Sequence, residues 1–317
     1  MAQPPCLILG GDLGGTKTWL ALAQAVNGRP QIVREQRYAS RDFARFDDIL
    51  ADFLADSPRI QAACLGIAGP TDGRFAKLTY LPWTLDADAL AQGFALGQVS
   101  LLNDFAATAH GLALVESHET LVLHPGKPSP EAPRVVLGAG TGLGVAGLLP
   151  ERASYRVVPG EGGHVGFAPQ TPEQGELWHW LLQQSGRVTS EDIVSGPGLA
   201  RIHAFLGGRP QTPAEIGSAA LAGKDPVASA ALRLWMACYG GFAGDLALLW
   251  MARGGVYLAG GMAAKLLPHT DWTPLRDAFL AKREHRHLLD DMPLIAVTAE
   301  DLGLRGALAR AAQAIPG

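Results

Sequence analysis

Two glycine-rich turns lie about a domain apart in this chain, Gly10-Gly11-Asp12-Leu13-Gly14-Gly15-Thr16-Lys17 and Gly138-Ala139-Gly140-Thr141-Gly142-Leu143-Gly144. Each follows a short apolar run, residues 6–9 or 135–137, and each leads into another strand-like run rather than a helix. Glycines let the backbone turn tightly against a ligand, while successive N–H groups and a Thr hydroxyl can line an anion pocket. One such loop constrains little. Two, one per half, point to a pair of hairpins gripping one polyphosphate from opposite sides. Asp12 inside the first would repel bare phosphate, so the expected ligand is a magnesium-bound nucleotide.

At 317 residues the chain is long for one core, and two domains are expected. A net charge of −4, from 26 basic and 30 acidic residues, gives no excess favouring nucleic acid or an anionic membrane. The longest uncharged stretch, residues 135–150, is too short to span a bilayer and is broken by five glycines, so it reads as a buried hairpin. Met1-Ala2-Gln3-Pro4-Pro5 lacks the basic and apolar regions of a signal peptide. Cys6, Cys64 and Cys238 are odd in number and have no Cys-x-x-Cys spacing, which fits a reducing compartment and argues against a zinc cluster. A soluble, cytoplasmic protein is expected.

The first half opens with strand-like runs at residues 7–9, 19–23 and 32–38, read as an antiparallel set joined by Gly- and Asn-containing turns. Helical spacing follows over residues 43–54, then a buried strand at 62–68, a short hairpin or edge strand at 74–81, a helix at 86–94 and a strand at 99–102. A helix is expected from Phe105. This is an α/β pattern. After the second glycine turn helices dominate, two of them opening on Thr171-Pro172-Glu173-Gln174 and Thr212-Pro213-Ala214-Glu215, both read as capping boxes. A long helix runs from about 225 to 251, with Gly254-Gly255 as its stop. A buried strand at 256–259, a last strand at 294–298 and a terminal helix at 302–314 complete the reading.

Asn103-Asp104 stands where an apolar strand stops and a helix begins. Helix capping and ligand binding are both open there, and both can hold. Pro159-Gly160-Glu161-Gly162-Gly163-His164 sets two hydrogen-bonding side chains among glycines, which suits a hydroxyl-rich ligand; a solvated surface turn is the alternative. His285 and His287 read as a solvated charged stretch. Residues 142–147 match the G-x-G-x-x-G dinucleotide pattern, but Pro150 and a strand-like run follow where that pattern needs a helix, so the match is set aside.

Taken in order, Gly-Gly-Asp-Leu-Gly-Gly-Thr, Leu-Leu-Asn-Asp-Phe, Gly-Ala-Gly-Thr-Gly-Leu-Gly, Pro-Gly-Glu-Gly-Gly-His, Ser-Gly-Pro-Gly-Leu and Leu-Ala-Gly-Gly resemble the bacterial ATP-dependent glucokinases. The likeness covers nearly the whole chain. It implies a two-domain α/β fold of the hexokinase–actin (ribonuclease H-like) type, with a sugar-binding cleft between the domains. Residues 1–109 with the terminal helix, 300–317, would form the small domain and 110–299 the large one. The implied activity is phosphorylation of D-glucose at O6 by ATP with Mg²⁺.

The resemblance implies Asp104 as catalytic base. Asn103, Asp104, Glu161, His164 and Glu191 would bind sugar. Gly11, Asp12, Gly14, Gly15, Thr16 and Lys17 would form the first phosphate loop, with Asp12 toward Mg²⁺. Gly140, Thr141 and Gly142 would form the second, and Gly260-Gly261 a turn near the adenosine. Lys17 and Tyr80 stand where Asn is common in the family. Lys17 adds a cation beside the phosphates, and Tyr80 leaves sugar selectivity near the cleft mouth open. The cysteine-rich zinc motif of the related repressor/kinase group is absent.

Three other readings stay open: a kinase for another hexose or with another phosphoryl donor, a sugar-responsive repressor, and a non-catalytic sugar-binding module. The repressor would need a helix-turn-helix, usually N-terminal, and none is expected with the first loop at Gly10. A homodimer is compatible with these residues, though none argues for it.

Overall fold

The structure, a computed structural model, describes residues 6–26, 29–152 and 154–315. The N-terminal pentapeptide and the Asn27-Gly28 turn read from the sequence lie outside the described residues. The chain divides into two units, Met1–Val115 with Asp301–Gly317, and Glu116–Glu300.

In the first unit β1 (Leu7–Leu13), β2 (Lys17–Val26) and β3 (Arg29–Ala39) form an antiparallel meander. Then come α1 (Phe46–Leu54), β4 (Ala62–Ile67), a small hairpin of β5 (Phe75–Lys77) and β6 (Thr84–Asp86), α2 (Ala87–Gly93), β7 (Gln98–Asn103) and α3 (Asp104–Gly111). The sheet order is β3-β2-β1-β4-β7, with β4 and β7 parallel to β1. Unbroken apolar runs in β1 and β4 suit a sheet covered on both faces. On one face Leu9, Leu13 and Leu65 pack with Phe46, Ile49, Leu50 and Phe53 of α1. On the other, Ile8, Trp19, Ala21 and Cys64 pack with Leu304, Ala307, Leu308 and Ala311 of the C-terminal helix, Leu302–Gln313.

The second unit opens with β8 (Thr120–His124), which the sequence reading missed. A second meander follows, β9 (Arg134–Ala139), β10 (Leu143–Glu151) and β11 (Ser154–Gly160). Helices α4 (Pro172–Ser185), α5 (Ser190–Ile193), α6 (Gly196–Phe205), α7 (Pro213–Leu221) and α8 (Pro226–Trp250) come next. β12 (Gly255–Ala259), α9 (Gly260–Leu266), α10 (Thr273–Leu280), α11 (Arg286–Leu289) and β13 (Leu294–Val297) end the unit. Its sheet order is β11-β10-β9-β12-β13-β8. β12 runs parallel to β9, β13 parallel to β12, and β8 is the antiparallel edge. Apart from β8, the two units share one plan: a meander, then two parallel strands beside its first strand. The 25-residue α8 carries the core, burying Trp235 and Tyr239 completely. Trp235 Nε1 donates to the Ser195 carbonyl (3.1 Å) and Tyr239 Oη to the Leu137 carbonyl (3.3 Å).

Three local expectations change. The helix expected at 43–54 starts at Phe46, because Arg45 is extended, with its N–H on Asp48 Oδ2, and Phe43 instead packs edge-on against Tyr38. The Thr212 box is reciprocal with Glu215. The Thr171 one is not: Thr171 accepts from the Gln174 N–H, but Gln174 Oε1 turns to the Gln170 N–H. α8 ends on Met251 in the left-handed region (φ 47°), ahead of Gly254-Gly255. Among the described residues no helix is long and apolar enough to cross a membrane.

Candidate active site

In the first unit the in-register pairs Leu13↔Ile67 and Ile67↔Asn103 set the carboxyl ends of β1, β4 and β7 in a row. Open α/β sheets present ligand-binding groups at this edge. The first glycine turn leaves from one strand of the row and Asp104 from another. Asn103 is the N-cap of α3, its Oδ1 accepting from the Phe105 (2.9 Å) and Ala106 (3.3 Å) N–H groups. Asp104 follows as the first helical residue, with Oδ1 accepting from the Phe105 N–H at 2.8 Å. Capping therefore fixes both side chains at the sheet edge. Gly66, cross-strand from Asp12, lets α3 come close: a methyl there would lie 2.9 Å from Ala107 Cβ and 3.8 Å from Asp104 Cα.

The turn itself is closed by the Gly14 N–H donating to the Lys17 carbonyl (3.0 Å). Behind it stand two fully buried hydroxyls that the sequence did not single out. Ser40 Oγ donates to the Gly14 carbonyl (2.8 Å) and meets Thr18 Oγ1 at 3.0 Å, while the Ser40 N–H donates to the Thr16 carbonyl. Lys17 is exposed, its ammonium 4.4 Å from the centre of the Trp19 ring, over which the Arg37 guanidinium also lies at 3.7 Å. Tyr80 packs on the glycine turn, its Cβ 2.7 Å from where a Gly15 side chain would begin. Asp12 lies beside the start of the C-terminal helix, and a methyl on Gly303 would be 3.4 Å from its carboxylate. Burial pushes the Asp12 carboxyl pKa up, and the charge of Lys17 pulls it part of the way back.

In the second unit the turn between β9 and β10 is closed by the Gly140 N–H donating to the Gly142 carbonyl (2.8 Å). The start of α6 approaches it, the Gly196 N–H donating to the Gly140 carbonyl (2.8 Å). Gly260, at φ 84°, follows the end of β12 against the Ala139 carbonyl, which brings Gly260-Gly261 to the same sheet edge.

The Glu161–His164 loop meets this turn at Leu143. A methyl on Gly163 would fall 2.0 Å from the Leu143 carbonyl, so only glycine lets the loop lie this close to β10. The other side of the Leu143 peptide belongs to Glu191, whose Oε2 accepts its N–H at 2.8 Å. Residues 165–167 run beside 188–190, with the Ser190 N–H donating to the Val165 carbonyl (2.9 Å) and the Phe167 N–H to the Val188 carbonyl (3.1 Å). A reciprocal Thr189–Asp192 cap starts α5 and carries Glu191 to the loop. Glu161 and His164 remain exposed, Nε2 and Oε2 4.0 Å apart, and Arg187 donates to the His164 carbonyl (3.1 Å). His285 and His287 lie exposed in the Arg283–His285 turn and α11.

A five-strand plan present in each unit, with a glycine turn between the first two strands of each sheet, defines the fold of the actin-like ATPases, on which sugar kinases are built. The chain matches the family described as Glucokinase over residues 9–314. It belongs to the glucokinase family, kinases that phosphorylate glucose with ATP. It is 37% identical to a glucokinase of Nostoc sp., over 97% of this chain and 99% of that one. With a Mesorhizobium japonicum glucokinase it shares 38% identity over 96% and 91%. Among solved structures, a glucokinase from an Antarctic psychrotroph matches with a TM-score of 0.86 at 29% identity, covering 97% and 99%. A Balamuthia mandrillaris glucokinase solved with glucose matches at 0.83 and 25% identity, covering 97% and 94%.

Proposed function

We propose that the two units hold one sugar and one nucleotide between their named residues, with Asp104 taking the proton from glucose O6 as phosphoryl transfer proceeds. The first unit supplies Asn103, Asp104 and the first phosphate turn. The second supplies the sugar loop, the second phosphate turn and the Gly260-Gly261 turn near the adenosine. The meeting of the Glu161–His164 loop, through Gly163, and of Glu191 at Leu143, at the root of the second glycine turn, carries this reading. One unit thereby brings hydroxyl-binding groups beside phosphate-binding amides, as transfer from a nucleotide to a sugar requires.

The capping geometry divides the labour of the adjacent pair. Asn103 Oδ1 is committed to backbone N–H groups, so its amide NH₂ is the part offered to a sugar hydroxyl. The Phe105 N–H orients the Asp104 carboxylate through Oδ1, and Oδ2 accepts the O6 proton. Glu161 accepts from sugar hydroxyls and His164 donates to or accepts from them. Gly11, Asp12, Gly14, Gly15, Thr16 and Lys17 on one side, and Gly140, Thr141 and Gly142 on the other, hold the triphosphate.

Asp12 fits a magnesium ion carried by the nucleotide. It is an acceptor-only oxygen ligand whose anionic form burial disfavours, so a cation beside it is stabilising. When bound, Mg²⁺ neutralises charge on the transferring phosphates. Loose transition states of this kind ask mainly for positioning, which the braced turns and the capped Asp104 provide.

A coupled assay of ATP with D-glucose, D-mannose and D-fructose tests the reading. The highest kcat/KM is expected for glucose. Preference for another hexose would reassign the substrate, and no turnover with any of them would leave a sugar-binding module.

A further inference from the structure

Glu191 lies on the second glycine turn rather than standing open among the sugar ligands. Its Oε2 holds the Leu143 N–H, and a methyl on Gly142 would stand 2.6 Å from that same oxygen. The Leu143 amide is the next donor along the backbone after the turn residues Gly140, Thr141 and Gly142. The Gly140 N–H is already on the Gly142 carbonyl, so with Leu143 engaged the run 140–143 keeps the Thr141 and Gly142 N–H groups for a phosphate, with a carboxylate beside them. A phosphate seated on this turn would meet that carboxylate, and like charges disfavour each other.

We propose that Glu191 is an internal gate on the second phosphate turn, closed on the Leu143 amide without sugar and drawn off it by sugar hydroxyls. The inference rests on the reading of residues 140–142 as a phosphate turn and of Glu191 as a sugar ligand. A linkage for such movement is present. α5, which carries Glu191, is four residues long, and its first residue, Ser190, donates its N–H to the carbonyl of Val165, just after His164. The Ser190 hydroxyl is buried without a protein hydrogen-bond partner, and Ile193 holds the other end of α5 in the core, so the freedom to move lies in the partly exposed Glu191 side chain. A sugar seated on Glu161 and His164 therefore acts on the same short ladder that carries the gate. Sugar then binds first and raises the affinity for nucleotide, and without sugar the triphosphate is poorly held and water is a poor acceptor.

The test is calorimetric titration of wild type, Glu191→Gln and Glu191→Ala with the non-hydrolysable ATP analogue AMPPNP and Mg²⁺, with and without saturating glucose. Gln removes the charge and keeps the shape; Ala removes both charge and hydrogen bond. In wild type, glucose should tighten AMPPNP binding by about five- to tenfold, in the usual range of coupling between sites. Glu191→Ala should bind AMPPNP without glucose about as tightly as wild type does with it and gain nothing further from glucose, while Glu191→Gln, whose Oε1 can still accept the Leu143 N–H, should show only the part of that tightening that comes from losing the charge. Their sugar-independent ATP hydrolysis should rise by a similar factor. Melting temperatures near that of wild type establish that each variant is folded. Sugar-free nucleotide binding that is unchanged or weaker in both variants would overturn the gate and make Glu191 a simple brace. Thr141→Ala separates this from the underlying reading. If it leaves AMPPNP binding intact in every state, the turn does not hold phosphate, and the site assignment falls with the gate.

Discussion

The first glycine turn rests on Ser40, whose hydroxyl donates to the Gly14 carbonyl and meets Thr18 deep in the sheet. The second rests on Glu191, a partly exposed carboxylate reaching Leu143 from a separate one-turn helix. Both turns close a β-hairpin at the same place in the same strand order. Their supports behave differently. Removing one partner of a buried, neutral hydrogen-bonded pair leaves the other unsatisfied, so the first turn is a fixed frame. A partly solvated carboxylate can exchange its amide for a ligand hydroxyl at little cost, so the second turn is adjustable. On the proposed reading, the first unit supplies a rigid frame for proton transfer and the second the response to ligand.

The strongest test of that division is Asp104→Asn. Asn keeps the shape and the contact with the Phe105 N–H but is no base, so kcat should fall by ~10²–10⁴-fold with glucose affinity nearly unchanged. Retention of more than half the wild-type turnover would reduce Asp104 to a helix-start residue. Glu161→Gln and His164→Ala should show the opposite split. Each removes hydrogen bonds worth roughly 1.5–3 kcal/mol, so the KM for glucose should rise by ~10–150-fold while kcat changes much less. A raised KM for ATP with glucose KM unchanged would put the loop on the other substrate.

A pH titration of stability, compared between wild type and His110→Gln, probes the first unit. His110, near the end of α3, is held neutral by burial and, secondarily, by Arg310, with its pKa lowered to about 4. The unfolded chain takes up this proton near pH 6.5 and the folded one does not, so stability falls as pH drops from about 6.5 toward 4. Partial exposure keeps the loss to about 2 kcal/mol. Urea unfolding of His110→Gln should lack this share of the slope; an unchanged slope would place the pH dependence elsewhere. The smallest effect is expected at Ser40→Ala. Losing one buried hydroxyl should cost roughly 1–2 kcal/mol, read as a melting temperature lower by a few degrees together with a raised KM for ATP. Glu191→Gln should leave melting unchanged. Equal melting shifts in these two variants would erase the contrast between the supports.

Much of this arrangement was legible in the residues because it is local. Glycine spacing announced both hairpins, and Asp86, Asn103 and Thr212 cap their helices through their own near neighbours. The braces were not legible, since Ser40 reaches Gly14 and Glu191 reaches Leu143 only after the sheets have formed. β8 was missed because a short edge strand carries little pattern of its own. Met251 ended α8 where a glycine pair looked like the stop, because the left-handed turn came before the residues best suited to it. Tyr80, which leaves sugar selectivity open, lies against Gly15, a contact that pattern along the chain does not encode.

The C-terminal helix sets a timetable for synthesis. Ile8, Trp19, Ala21 and Cys64 wait for Leu304, Ala307, Leu308 and Ala311, which the ribosome makes only after the whole second unit. At ~5–20 residues per second, one face of the first sheet stays uncovered for roughly ten to forty seconds while the second unit is being made. The second unit, continuous in sequence from Glu116 to Glu300, has no such delay. A chain released after residue 300 should therefore carry a folded second unit and a first unit still open to chaperones and proteases, and a late frameshift would leave it permanently so.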